Sequence, residues 1–136
     1  MKQIRFLFVL TLMLVSVLAI NKTSYAQEVQ KEKVYTDADV LPEYPGGIDA
    51  LIKEIVQNIK YPQKAKEENI QGKVLVQFVV KKDGSVTDVK VLEGIDKACD
   101  EEAVRVVKEL KQFKPGTKDG KAVAVQMVLP IAFKLS

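Results

Sequence analysis

The most regular hydrophobic pattern in this chain lies near its C-terminus, where apolar side chains occupy every odd position from Val123 to Leu135. Strict alternation over that length predicts a β-strand with one face in a core. Two earlier alternating runs, residues 73–81 and 85–93, flank Lys82-Asp83-Gly84. Because Asp-Gly between such runs is a strong hairpin signal, the pattern predicts three strands, the first two joined by a tight turn.

Two other segments show the helical period. In the first, six apolar residues recur at the spacing that predicts a helix with all six on one face. They are Ile48, Leu51, Ile52, Ile55, Val56 and Ile59. Pro62 ends this helix. The second predicted helix runs from about Lys97 to Lys111, with Asp96 as its N-cap and Cys99 on its apolar face. Residues 115–120 are predicted as a turn.

The element order αββαβ restricts the arrangement of the strands. The second helix carries the chain back across the sheet, so strands two and three run parallel, whereas the hairpin makes strands one and two antiparallel. A right-handed crossover past one strand then places the first strand in the middle. We therefore predict an α+β fold: a three-stranded antiparallel sheet of order 2-1-3, with two helices packed on one face. The last strand is an edge in this arrangement, which suits Pro130.

The N-terminal 26 residues carry a pattern of their own. Lys2 and Arg5 precede an apolar run over residues 6–20, and Ser24-x-Ala26 follows it. This order predicts a secretory signal peptide that is cut after Ala26. A short membrane anchor is the alternative, although the run is shorter than the roughly 20 residues of a spanning helix. Residues 27–45 are then predicted as a tether and extended segment, and residues 46–136 as the folded domain.

The charge balance depends on that N-terminal segment. Residues 1–26 hold three of the 21 basic residues and none of the 18 acidic residues, so the rest of the chain carries 18 of each. A net charge near zero gives no support for nucleic-acid binding, which needs a basic surface. We therefore predict no nucleic-acid partner.

The residue types that most enzymes use are absent or poorly placed. The chain has no histidine, the commonest general base and metal ligand. Cys99 is the only cysteine, and the carboxylates of Asp100-Glu101-Glu102 oppose formation of its thiolate. Consecutive carboxylates on a helix point in different directions, so we expect no metal site there. These observations predict a binding domain that is not an enzyme and that has no cofactor.

A series of short motifs carries a family resemblance. The motifs are Tyr44-Pro45-Gly46-Gly47, Tyr61-Pro62, Ile70-Gln71-Gly72-Lys73-Val74, Phe78-Val79-Val80 with Asp83-Gly84, residues 100–107, Phe113-Lys114-Pro115-Gly116, Gly120-Lys121 and residues 129–135. In their order and spacing they resemble the C-terminal domain of the TonB energy-transducer family. The resemblance extends over about residues 35–135.

The resemblance implies a periplasmic domain of the Gram-negative envelope that binds outer-membrane TonB-dependent transporters. In the family, an extended transporter segment, the Ton box, is added as a strand at the edge of the last strand, and an inner-membrane proton-driven complex supplies force. Strand addition suits the edge position predicted above. On this resemblance we expect partner contacts at Tyr61, Pro62, Val123, Ala124, Val125, Gln126, Met127, Val128, Leu129 and Pro130.

The chain also departs from the family pattern. Asn58-Ile59 stand where better-known members carry Gln-Pro, the chain lacks the histidine of their N-terminal anchor, and residues 21–46 lack the Pro-rich composition of their long linker. Three interpretations therefore stay open: a transport component that captures a peptide, an envelope adaptor or regulator that transmits no energy, and a homodimer formed through the same strand. The apolar outer sheet face either supports such contacts or is covered by residues 34–45.

Overall fold

A mixed β-sheet with three helices organises residues 32–136, the residues that the computed structural model describes. The segment predicted as a signal peptide or anchor lies outside the described residues, as does the start of the predicted tether. In chain order the elements are β1 (Val34–Tyr35), α1 (Gly47–Asn58), α2 (Gln63–Glu67), β2 (Gly72–Val80), β3 (Val86–Glu93), α3 (Lys97–Lys108), β4 (Gly116–Lys118) and β5 (Lys121–Phe133).

The three long strands form the centre of the sheet. β2 lies between β3 and β5 and is antiparallel to both. The short strand β1 pairs with β5 in parallel and completes the order β1-β5-β2-β3, and the short strand β4, outside this order, pairs with β5 as a hairpin. The α+β class is confirmed, but the predicted count of three strands is wrong, and the sheet is mixed rather than antiparallel.

The hairpin of β4 and β5 replaces the turn predicted for residues 115–120. Gly116–Lys118 pairs back onto β5 across Asp119 and Gly120, whose φ angles are 52° and 76°. Two consecutive left-handed residues are what a two-residue hairpin loop requires. The prediction of two helices is also incomplete, because Pro62 is the N-cap residue of the short helix α2.

The core lies between one face of the sheet and the helices. The side chains of Val74, Val76, Phe78 and Val80 alternate along β2 and are buried, as are Ile131 and Phe133 of β5. Facing them is the predicted apolar row of α3, including Cys99, while Asp96 caps this helix by accepting bonds from the backbone N–H groups of Ala98 (3.2 Å) and Cys99 (3.4 Å). Burial of each large apolar side chain stabilises the fold by about 1.5–3 kcal/mol.

Helix α1 buries a narrower stripe than its apolar pattern predicts. Leu51 and Ile55 are buried and Ile59 is half-buried. The other three predicted positions, Ile48, Ile52 and Val56, are 63%, 51% and 67% exposed. The six residues share one face, but this row of the face is not buried, because α3 lies against β2 and β3, whereas α1 contacts α3. One row of side chains is enough to fill that helix–helix contact.

The segment before α1 is extended and packs along the β4–β5 hairpin. Val40 and Thr117 exchange two backbone hydrogen bonds of 3.1 and 2.9 Å, and Glu43 forms a second backbone bridge farther along. Tyr44 is buried, with its ring edge-on to Phe113 at a centroid distance of 5.0 Å. Residues 34–44, which were predicted as part of the tether and extended segment, are thus paired with the folded domain. Among the described residues, no helix has the length and apolarity needed to cross a membrane.

Candidate functional site

The outer edge of β5 is only partly covered. On one side, β2 pairs with Val125–Phe133 without a register shift. On the other side, β1 pairs with Ala124 and Val125. Among residues 32–136, no strand pairs with Gln126–Phe133 on this second side. We call this stretch the open edge.

The open edge has the chemistry of a strand-pairing surface. It contains no charged residue, whereas Lys121 and Lys134 lie beyond its two ends. An unpaired edge presents backbone N–H and C=O groups that an extended peptide can pair with. Pro130 lacks an N–H, but its carbonyl oxygen is still an acceptor. An added strand would therefore find a nearly continuous row of main-chain partners.

The predicted contact residues of β5 fall into two groups. Val123, Ala124 and Val125 are buried, and the short strand β1 pairs with Ala124 and Val125 on the side on which a partner would be added. The predicted residues from Gln126 to Pro130 lie in the open edge. The open edge continues through Ile131–Phe133, which were not among the predicted contact residues, although the alternating pattern extends past them.

Tyr61 and Pro62 lie at the far end of the open edge, in the connection between α1 and α2. The Tyr61 ring is perpendicular to that of Phe133, with centroids 5.5 Å apart, and its hydroxyl donates to the carbonyl of Ile70. Partial burial, followed by the nearby thiol of Cys99, raises the pKa of Tyr61, so the hydroxyl stays a donor. Since β5 rises about 3.3 Å per residue, Val123 lies about 33 Å from Phe133, and the predicted contacts are spread along this length.

A polar network holds the connection that carries Tyr61. Glu102 of α3 accepts a 2.8 Å hydrogen bond from the backbone N–H of Lys60 and forms an ion pair with Arg105. Arg105 in turn donates to the backbone carbonyl of Asn58, the last residue of α1, over 2.9 Å. The hydrogen bond from Arg105 is the main cause that lowers the pKa of Glu102. The end of α1 is thus fixed to α3 beside the far end of β5.

At the other end of the open edge, β1 is held by contacts around Tyr35. The ammonium groups of Lys33 and Lys118 each lie 4.9 Å from the centre of the Tyr35 ring. Asp39 adds a 2.8 Å hydrogen bond from the backbone N–H of Asp119, in the turn between β4 and β5. These contacts keep the covered part of the β5 edge closed.

The groups considered for catalysis or metal binding have structural partners. Cys99 is buried, and its burial, followed by the charges of Asp96 and Asp100, raises the pKa of its thiol. Asp100 accepts a 3.0 Å hydrogen bond from the backbone N–H of Ile95. Within the described part of the chain, no group of three or more His, Cys, Asp or Glu side chains is arranged to hold a metal ion.

Fold and edge together describe an α+β domain with one sheet edge available for pairing. The family model for the Gram-negative bacterial TonB protein C-terminal matches residues 57–135, which is more than half of the chain. The chain belongs to this TonB C-terminal family. The match begins inside α1 and includes the whole of β5, and therefore the open edge.

Curated relatives agree with this assignment. Protein TonB of Pseudomonas aeruginosa is 33% identical over 75 residues, which are 55% of this chain and 22% of that protein. Protein TonB of Helicobacter pylori strain 26695 is 32% identical over 77 residues, 56% of this chain and 26% of that protein. The matched region therefore spans only about a quarter of the length of these relatives.

Two solution structures are also similar. The C-terminal domain of TonB from Helicobacter pylori is 28% identical with a TM-score of 0.49, and the match covers 64% of this chain and 91% of that one. The C-terminal domain of TonB from Pseudomonas aeruginosa is 25% identical with a TM-score of 0.47, and the match covers 79% and 97%.

Proposed function

We propose that this chain acts in TonB-dependent transport across the outer membrane by capturing an extended peptide of a transporter on the open edge of β5. The observation that supports the proposal most directly is the uncharged, unpaired stretch Gln126–Phe133. Main-chain pairing along such an edge gives affinity for an extended peptide, and the flanking side chains give selectivity. The proposed contact region is therefore shifted from Val123–Pro130 toward the C-terminal end of β5.

The two faces of β5 offer different surroundings to the captured peptide. On the helix side, alternate residues of the peptide would lie next to Met127 and Leu129, which are partly buried against the core. On the outer side they would lie next to Val128 and Pro130, which are exposed. Because neighbouring strands place their side chains about 5 Å apart on each face, both sets of contacts are within reach. A peptide with apolar residues at alternate positions fits this surface.

Paired proline variants test strand addition on the open edge. Adjacent residues of a strand direct their N–H groups toward opposite edges, so proline at Met127 and proline at Val128 remove bonds from opposite sides of β5. The variant whose lost N–H pointed toward β2 loses a bond to β2 and is destabilised. The variant whose lost N–H pointed toward the open edge keeps the β2 ladder and stays folded. This second variant loses affinity for ten-residue peptides that were selected for binding to the wild-type chain.

Alanine variants at the same two positions control for loss of the side chains. Circular dichroism reports folding, and calorimetry reports peptide affinity. The proposal is wrong if the proline variant that stays folded binds the selected peptides as tightly as its alanine control. This outcome would leave the fold intact and remove strand addition as its function.

A homodimer formed through the same edge is the second candidate. An unpaired edge is able to accept a strand of another copy, and the exposed row Ile48, Ile52 and Val56 of α1 offers further apolar surface. Light scattering at increasing concentration separates a stable dimer from a monomer that binds peptide. An envelope adaptor that transmits no energy would use the same contacts as the transport component.

Force transmission is a separate proposal, because it needs attachment to the inner-membrane proton-driven complex. Mass spectrometry of the protein recovered from cell envelopes distinguishes the two roles. A periplasmic form that starts at Gln27 would favour the adaptor, and a membrane-bound form that retains residues 1–26 would favour the energy transducer.

A further inference from the structure

A shallow cleft lies on the outer face of the sheet at the far end of the open edge. Its volume is about 210 Å³, and it is lined by Gln71, Gly72, Lys73, Ala132, Phe133 and Lys134. Lys73 of β2 lies directly across from Ala132 of β5. Lys134 follows the last residue of β5 and also lines the cleft. The small side chain of Ala132 lies next to both lysines in this lining.

The two lysines have no carboxylate partner in the folded domain. Within residues 32–136, the ion pairs are those of Arg105 with Glu102 and Glu109. Both lysines are exposed. The strand end is nevertheless held in place, because the Gln71 side chain accepts a 3.0 Å hydrogen bond from the backbone N–H of Leu135. Lys134 therefore keeps a defined position beside the cleft.

The open edge by itself does not define the register of a captured peptide. Its ladder with β2 is regular, and it carries no charge, so a peptide with alternating apolar residues could slide by two positions and keep its pattern. Slippage by two changes which residue lies next to Ala132. A charged contact at one end of the edge would remove this ambiguity.

We propose that the cleft between Lys73 and Lys134 receives a side-chain carboxylate of the captured peptide and thereby sets its register. This inference rests on the proposed function. An added strand lies about 4.8 Å from β5, so its residue beside Ala132 has its Cβ roughly 5 Å away on the same face. The small Ala132 side chain leaves room for an Asp or Glu side chain to lie over it and reach both ammonium groups. Two exposed lysines hold a free anion only weakly, whereas backbone pairing brings the peptide's carboxylate to them.

The test is selection from a display library of twelve-residue peptides with all positions randomised. We expect the wild-type chain to enrich peptides with alternating β-branched residues and one Asp or Glu at a fixed distance from them. The double variant Lys73→Gln, Lys134→Gln should keep the alternating preference and lose the acidic one. The matched control is Lys90→Gln, an exposed lysine of β3, which should keep both preferences.

A selected peptide then allows a quantitative measurement. Replacing its acidic residue by Gln or Asn should weaken binding to the wild-type chain about twofold to fivefold per lysine contacted, and should leave binding to the double variant unchanged. Filling the cleft with Ala132→Leu should also lower affinity for the acidic peptide, although both lysines remain.

The possible outcomes separate the inference from the function on which it rests. If the selected peptides show alternation without an acidic preference, or if that preference persists in the double variant, the carboxylate site is wrong and peptide capture stands. If inorganic phosphate fills the cleft without competing with the acidic peptide, the cleft is a free-anion site and the inference is again wrong. If the wild-type chain enriches no extended peptide, peptide capture itself fails.

Discussion

The free edges of the two outer long strands of the sheet, β3 and β5, differ in charge and in regularity. β3 carries the exposed charges of Asp88, Lys90 and Glu93, and its register with β2 shifts at two places. Asp88 also has a φ of 51°, a left-handed conformation inside a strand. The open edge of β5 has no charge, and its register with β2 continues without a shift from Gly72 to Val80.

The difference shows which edge is protected against pairing. Charges, bulges and local twist are the usual devices that stop one sheet from extending onto another. β3 has all the marks of such protection. β5 has instead a partial cover, since β1 pairs with Ala124 and Val125 and leaves Gln126–Phe133 uncovered. Protection of one edge and not of the other is expected of a sheet that accepts a partner's strand at one edge only.

The largest expected effect comes from the two Asp-Gly turns that lead into these strands. Gly84, before β3, has a φ of 87°, and a Cβ there would lie 1.9 Å from the carbonyl oxygen of Phe113. Gly120, before β5, has a φ of 76° with no atom within 4 Å of such a Cβ. Gly120→Ala should cost about 1–2 kcal/mol of unfolding free energy, the strain of a left-handed alanine.

Gly84→Ala should cost more, at least about 3 kcal/mol, because the clash also breaks the 2.8 Å hydrogen bond from the Phe113 N–H to the Gly84 carbonyl. Urea unfolding of the two variants measures the difference. Equal losses would show that the backbone strain alone matters, and that Gly84 is not held against Phe113.

A smaller effect is expected at Glu102, which fixes the connection at the far end of the open edge. Glu102→Gln removes the charge that pairs with Arg105 and weakens the hydrogen bond from Lys60. We expect a loss of about 1–2 kcal/mol at pH 7. The exposed neighbour Glu101 gives a matched control, Glu101→Gln, which should change stability by less than about 0.5 kcal/mol.

The pH dependence of the Glu102 effect has a definite sign. Hydrogen bonding to Arg105 lowers the folded-state pKa of Glu102 below its ordinary value. The carboxylate therefore stabilises the fold fully above the unfolded pKa of about 4.3, and this stabilisation is lost as the pH falls through the lower, folded value. Unfolding of the wild type and of Glu102→Gln should converge as the pH is lowered through this range. A difference that stays constant down to pH 2 would contradict the linkage.

The same comparison shows what could be predicted from the sequence. Alternation alone identified the three long strands, because each has one face in the core. It could not identify β1, since the pairing of two residues, Val34 and Tyr35, with β5 depends on tertiary contacts around the Tyr35 ring. The β4–β5 hairpin was missed for a different reason. Asp119-Gly120 carries the same hairpin signal as Asp83-Gly84, but β4 is too short to show a period.

For the candidate site too, the sequence predicts which elements form the surface and does not predict how much of that surface is covered. Connectivity predicts the last strand as an edge, but only the pairing with β1 shows which part of that edge is uncovered. The helical period of α1 predicted six residues on one face, and it could not show that the contact with α3 needs only one of the two rows. Periodicity thus locates a surface, and the partners within the fold decide how much of it stays exposed.

The smallest effect on stability is expected when a charged residue is placed in β5, as β3 already has. This change is also the most direct test of the comparison between the two edges. Val128 in the open edge and Leu92 on β3 are 46% and 50% exposed. Val128→Glu and Leu92→Glu should therefore each change the unfolding free energy by less than about 0.5 kcal/mol. Their effects on binding should differ, because a captured strand would lie about 5 Å from Val128, and the new carboxylate would lose water on binding.

We expect Val128→Glu to weaken binding of the selected peptides, measured by calorimetry, and to reduce any concentration-dependent scattering, whereas Leu92→Glu should leave both unchanged. Equal effects of the two substitutions would mean that partners recognise the outer sheet face as a whole, since both side chains are about equally exposed. An effect of Leu92→Glu alone would place the contact on β3, and the charges of Asp88 and Lys90 would then belong to a binding surface rather than to a protected edge. Because the two variants match in charge and exposure, the ratio of their affinities depends on which edge accepts the strand.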